Sequence, residues 1–125
     1  MLSAFLKSAN TILYCERWAE TVAFYRDGLG LPVCFSNHWF VEFALTPTAR
    51  LSIADQRQAT VQSAGGRGST LSLEVDDIRA VRTGLRQSGL NPGEIRSHAW
   101  NAEVFYLFDP EGHRLEIWQP RAKAV

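Results

Sequence analysis

Apolar side chains along this chain change their spacing several times, and the order of those changes occurs twice. Residues 9–15 alternate with period two and predict a strand. Over residues 17–28 the spacing turns helical, with Trp18, Val22, Tyr25 and Leu29 as the stripe; Gly28, Gly30 and Pro32 end it. Val33-Cys34-Phe35, a Ser36-Asn37 turn and the aromatic-rich run 38–45 predict two more strands. Thr46-Pro47-Thr48 then turns the chain into a short alternating strand at 50–54. Residues 55–70 are polar and hold Ser63-Ala-Gly-Gly-Arg-Gly-Ser69, which reads as a linker. A phosphate-binding loop would need a helix to follow it, and a strand follows instead.

The order then starts again. Residues 70–75 alternate as a strand, and Asp77 is an N-cap for a helix with the stripe Ile78, Val81 and Leu85, ending at Gly89. Asn91-Pro92-Gly93 turns, residues 94–98 extend, and 100–108 with 113–119 form a last hairpin around Asp109-Pro110-Glu111-Gly112. The aromatic run 105–108 does not itself show whether Phe105 and Leu107 or Tyr106 and Phe108 face inward. His113, just past the turn glycine, is expected to be exposed. Asn10 lies 60 residues before Thr70 and Ser52 lies 64 before Glu116, a difference that loops absorb. The expectation is an α+β domain spanning 1–125. It contains two βαβββ modules, about 8–55 and about 70–120, joined by a linker at about 56–69 and related by pseudo-twofold symmetry. Their strands would form a curved mixed sheet around a concave cleft, with the helices outside.

Alternation also sorts the faces of the outer strands. Thr11, Leu13, Cys15, Leu51, Ile53, Leu71, Leu73, Val75, Leu115 and Ile117 form the face on which helices should pack. The opposite face holds Asn10, Ile12, Tyr14, Arg50, Ser52, Ala54, Thr70, Ser72, Glu74, Arg114, Glu116 and Trp118. Small polar groups, a carboxylate and aromatics on a concave sheet make a pocket rather than a core.

Composition removes some alternatives. Thirteen basic and thirteen acidic side chains cancel, and no basic cluster stands out. Neither nucleic acid nor an anionic membrane is an expected partner. No apolar run reaches the length of a signal segment or a membrane span, so a cytoplasmic location is expected. The two cysteines, Cys15 and Cys34, form no CxxC and read as reduced thiols.

Three segments carry a resemblance: Ala23-Phe-Tyr-Arg-Asp-Gly-Leu-Gly30, Leu73-Glu-Val-Asp-Asp77 and Phe108-Asp-Pro-Glu-Gly-His-Arg-Leu-Glu116. Over about residues 8 to 120 the chain resembles the vicinal oxygen chelate superfamily, which includes glyoxalase I, extradiol dioxygenases, fosfomycin resistance enzymes and bleomycin resistance proteins. The resemblance implies a homodimer. It also implies metal-ligand positions, which fall on Asn10, Ser52, Thr70 and Glu116. Only Glu116 is a usual ligand type, whereas a catalytic divalent site draws about three ligands from His, carboxylate or Cys. The expectation is therefore a metal-free cleft with no cofactor.

Two functional readings follow. In the first, the chain is a small-molecule-binding protein. Asn10, Ser52, Thr70 and Glu116 orient a small aromatic or polar compound in the concave cleft, His98 supplies a hydrogen bond, and Tyr14, Trp39, Trp100 and Trp118 offer stacking surface. In the second, it is a lyase or isomerase of the glyoxalase type with Glu116 as general base or as a metal ligand. The residues do not decide whether it is an enzyme.

Overall fold

The computed structural model describes residues 1–121. It divides into two compact units, Met1–Gly65 and a second beginning at Gly66. Each has the element order expected from the sequence. In the first unit these are β1 (Ala9–Cys15), α1 (Trp18–Ala23), β2 (Val33–Ser36), β3 (Phe40–Thr46) and β4 (Ala49–Asp55). In the second they are β5 (Thr70–Glu74), α2 (Ile78–Gln87), β6 (Arg96–His98), β7 (Ala102–Phe108) and β8 (Arg114–Pro120). Each set of four strands makes its own mixed sheet, ordered β1-β4-β3-β2 and β5-β8-β7-β6. The fold is α+β, two βαβββ modules with one open sheet apiece.

The repeat extends to the register. β1 runs parallel to β4 with Asn10 opposite Arg50 and Ile12 opposite Ser52; β5 runs parallel to β8 with Thr70 opposite Arg114 and Ser72 opposite Glu116. On the other side of each last strand, Glu42 faces Ser52 and Tyr106 faces Glu116. Directly opposed residues project to the same side of a sheet. The register therefore settles the faces: Tyr106 and Phe108 accompany Glu116 and Arg114, while Phe105 and Leu107 accompany Ile117 and Leu115.

The helix side of each sheet is the core. Phe43, Leu51 and Ile53 in one module, and Phe105, Leu107, Leu115 and Ile117 in the other, are buried. Each such side chain contributes about 1.5–3 kcal/mol by leaving water. Against the first sheet, Trp18 Nε1 donates to the Ile53 carbonyl (2.9 Å) and the Tyr25 ring lies 6.2 Å from that of Phe43. The single helix expected at 17–28 is interrupted. After Ala23 the chain widens into a π-helical segment, Phe24–Gly28, in which Leu29 N–H reaches back to the Phe24 carbonyl (2.9 Å). The adjacent Phe24 and Tyr25 are both buried, edge to face at 4.9 Å, as are Thr21 and Val22 before them. The expected stripe named Tyr25 and not Phe24.

α2 follows its sequence signals at both ends. Asp77 Oδ1 accepts from Ala80 N–H (3.1 Å), and Ile78 N–H donates to Gln119 Oε1 (2.8 Å), fixing the helix start to β8. At the other end Gly89 takes φ 84°. Leu90 N–H bonds to the Leu85 carbonyl and Gly89 N–H to that of Arg86, both 3.0 Å, a Schellman closure.

The 56–69 segment is more structured than a linker. Asp55 accepts from the Arg57 backbone N–H (3.0 Å) and guanidinium (2.8 Å), capping a 3-10 turn at Gln56–Gln58. The Arg57 side-chain hydrogen bonds hold the Asp55 carboxyl below the usual range, against the opposing effect of burial. A carboxylate whose pKa is lowered by folding stabilises the protein above its unfolded value of about 4 and loses that contribution as pH falls through the folded value. Wild type should therefore melt modestly above Asp55→Asn at neutral pH. The gap should close on acidification, as melting curves from pH 7 to pH 2 would show.

Candidate active site of the second module

Glu116 stands in the middle of β8, half-buried on the face away from α2. Its two neighbouring strands each supply a donor from the directly opposed residue. Ser72 Oγ–H on β5 donates to Oε1 (2.7 Å), and Tyr106 O–H on β7 approaches Oε2 (3.3 Å). The network continues outward. His98 Nε2 lies 3.5 Å from the Tyr106 hydroxyl, and Trp100 Nε1 donates to His98 Nδ1 (2.9 Å). An indole N–H only donates, so His98 Nδ1 is the acceptor and the ring hydrogen of neutral His98 sits on Nε2, toward Tyr106. Every donor in the series then points toward Glu116. The contacts to Tyr106 oxygen are at the long end of hydrogen bonding, and the short bonds are those of Ser72 and Trp100.

Aromatic rings form one wall beside the carboxylate. Trp100 and Trp118 meet at 5.1 Å and 70°, and His98 lies 5.6 Å from Trp100 and 6.5 Å from Tyr106. Edge-to-face geometry leaves ring faces available for a further planar partner. On the other side of Glu116, Arg114 Nε donates to Thr70 Oγ1 (3.0 Å), and its guanidinium carbon stands 4.8 Å over the Tyr106 ring.

The first module carries different chemistry at the equivalent positions. Ser52 is fully buried and donates to Asn10 Oδ1 (2.8 Å). Glu42 pairs with Arg50 (3.4 Å), whose Nη1 also binds the carbonyls of Thr46 (2.9 Å) and Pro47 (3.0 Å). Tyr14, half-buried, stands opposite Ala54.

A family model described as Glyoxalase/Bleomycin resistance protein/Dioxygenase superfamily matches residues 7–117. The chain belongs to that superfamily. Among solved structures, a glyoxalase/bleomycin resistance protein/dioxygenase from Nocardioides is 20% identical with a TM-score of 0.76, covering 98% of this chain and 91% of its own. A lactoylglutathione lyase from Agrobacterium tumefaciens is 20% identical with a TM-score of 0.71, covering 88% of this chain and 90% of its own. A glyoxalase/bleomycin resistance protein from Catenulispora acidiphila is 18% identical with a TM-score of 0.73, covering 90% and 96%. At these identities the likeness is one of fold. No protein of curated function matches the sequence.

Superfamily membership raises the question of a divalent cation. The four expected ligand positions offer one carboxylate and three neutral oxygens. Asn10 Oδ1 already accepts from Ser52, Thr70 Oγ1 accepts from the cationic Arg114, and Glu116 accepts from Ser72 and Tyr106. A guanidinium bonded to a would-be ligand repels a cation, and neutral hydroxyls are weak donors for transition ions. Among the described residues, no three His, Cys, Asp or Glu side chains are grouped to hold an ion. This donor set does not fit a catalytic divalent centre.

The sequence expectations divide as follows. Glu116, His98, Trp100 and Trp118 come together, Thr70 joins them through Arg114, and Asn10 meets Ser52. Trp39 and Trp100 do not lie on strands as expected: both occupy turns, one before β3 and one between β6 and β7. Trp39 is held there by Asn37 Oδ1 on its N–H (2.9 Å) and by Asp55 N–H on its carbonyl (2.8 Å). His113 is not exposed. It is buried, with Nδ1 2.8 Å from Asp109 Oδ2, because the Asp109 side chain folds the turn inward around it. Ser72 and Tyr106 were not among the expected site residues, although alternation already put Ser72 on the face of Glu116. Tyr106 required the register.

Proposed function

We propose that this chain is a small-molecule-binding protein that works without a metal and takes a small, planar aromatic compound on the Glu116 face of its second module. The observation that carries this reading is the state of Glu116. Its carboxylate is held between Ser72 and Tyr106 and lies beside the aromatic group His98, Trp100 and Trp118. A carboxylate fixed by two donors is a directional acceptor for a ligand N–H or O–H. The aromatic rings beside it favour a bound planar ligand over the glyoxalase-type lyase or isomerase reaction. The rings supply area and stacking, and the remaining polar groups orient the ligand.

Calorimetric titration of chelator-treated protein with planar aromatics bearing a hydrogen-bond donor tests this. Binding should survive chelation. Trp118→Ala should weaken it by about 10- to 100-fold, the size of effect typical of a stacking anchor. Glu116→Gln should weaken ligands bearing the donor and spare those without it. Binding that required an added divalent ion, or turnover abolished by Glu116→Gln with binding intact, would replace this reading with the catalytic one.

A further inference from the structure

Arg114 differs from its repeat equivalent in what it has left to offer. Arg50 is consumed within the first module, its Nη1 on loop carbonyls and its Nε facing Glu42. Arg114 is held at one end only: Nε on Thr70 Oγ1 and the guanidinium over Tyr106. Its Nη1 and Nη2 have no partner among the described residues, and the residue is exposed. Where Arg50 has an acidic partner across the strand, Arg114 has the neutral Tyr106 in the corresponding place. The result is a pre-oriented fork of two N–H pairs, whose shape matches a carboxylate in a bidentate pair.

We infer that Arg114 is the anion anchor of this site and that the ligand is an aromatic carboxylic acid. The inference rests on the reading of the Glu116 face as a small-molecule site and adds the charge and length of the occupant. A strand rises about 3.3 Å per residue, so along β8 Glu116 lies about 7 Å and Trp118 about 13 Å from Arg114. A carboxylate at Arg114 therefore leaves a fused or extended ring system to pass Glu116 and reach the tryptophans. Repulsion between ligand carboxylate and Glu116 is limited by that separation and by the hydroxyls of Ser72 and Tyr106 on the Glu116 oxygens.

The test compares 2-naphthoate with 2-naphthamide, followed by quenching of tryptophan fluorescence at low and moderate salt. Wild type should bind the acid at least about 10-fold more tightly, the size of effect expected of a charge-assisted bidentate pair, and salt should narrow that difference. Arg114→Gln should erase the preference by weakening naphthoate much more than naphthamide, whose neutral carbonyl makes only a single, weaker contact with the guanidinium. Arg114→Lys should recover part of it, a point charge replacing the fork. Arg50→Gln should leave the preference intact, and melting temperatures confirm that each variant is folded. Equal binding of the two compounds by wild type, or a preference that persists in Arg114→Gln, overturns the anchor and leaves the small-molecule reading standing. Binding of neither compound overturns both.

Discussion

Gly66→Ala should be the most damaging small substitution in the second module. Gly66 is buried with φ 82°, and a Cβ there would lie 2.1 Å from the Gly112 carbonyl carbon and 2.4 Å from the His113 nitrogen. Both obstacles are backbone atoms. Relief requires moving the turn that leads into β8, and the residue would in addition be held at positive φ. The expected loss exceeds about 3 kcal/mol, because overpacking and backbone strain act together. That corresponds to a fall in melting temperature of roughly 10 °C or more for a chain of this size. Gly65→Ala, also at positive φ but with open space around the added carbon, separates the two causes and should cost much less. Equal melting temperatures for the two variants would show that the contact with the 112–113 backbone is not made.

The second large effect is expected at Asp109, on the other side of the same turn. Its Oδ1 accepts from three successive backbone N–H groups, those of Glu111 (3.0 Å), Gly112 (2.9 Å) and His113 (2.9 Å), while Oδ2 meets His113 Nδ1 at 2.8 Å. Asp109→Ala removes these four acceptor contacts and leaves a buried imidazole nitrogen without its carboxylate. A cost of about 3–5 kcal/mol is expected, the range for breaking a buried charged network. Asp109→Asn keeps a carbonyl oxygen for the backbone donors and should lose less. Urea denaturation of the three proteins orders them, with wild type above Asn and Asn above Ala. Because Arg114, Glu116 and Trp118 all lie just beyond this turn, either damaged variant should also lose ligand affinity.

Much of this arrangement was legible from spacing. The repeated strand, helix, three-strand order follows from the change in period at Trp18 and again at Ile78, and from Gly30 and Gly89 as stops. Alternation in β8 correctly separated Leu115 and Ile117 from Arg114, Glu116 and Trp118. It failed at β7, where both faces are apolar or aromatic and period two carries no contrast. Only the pairing of Tyr106 with Glu116 assigns that strand. The helical stripe named Tyr25 and missed the burial of Phe24, and nothing local in the sequence marks the π-helical turn that begins there. His113 was misread, and Gly66 passed over within the linker, for a common reason. Turns are usually solvated, but here Asp109 turns its carboxylate inward and the glycine-rich segment is packed against the resulting backbone. Trp100 was assigned to a strand that begins two residues later, and its turn position is what lets its N–H reach His98.

The metal question depends on residue chemistry more than on fold. A fold does not fix the chemistry it carries, so the two βαβββ modules do not decide the matter. Distinction comes from hydroxyls and an amide at three of the four expected ligand positions, and from the guanidinium bonded to one of them.

The most direct test follows the four indole N–H signals in nitrogen-15 correlation spectra while 2-naphthoate is added to chelator-dialysed protein. The signals of Trp100 and Trp118 should shift with saturation, and that of Trp18, bonded to the Ile53 carbonyl beneath the first sheet, should not. Silence at Trp100 and Trp118 until a divalent cation is supplied would contradict the account.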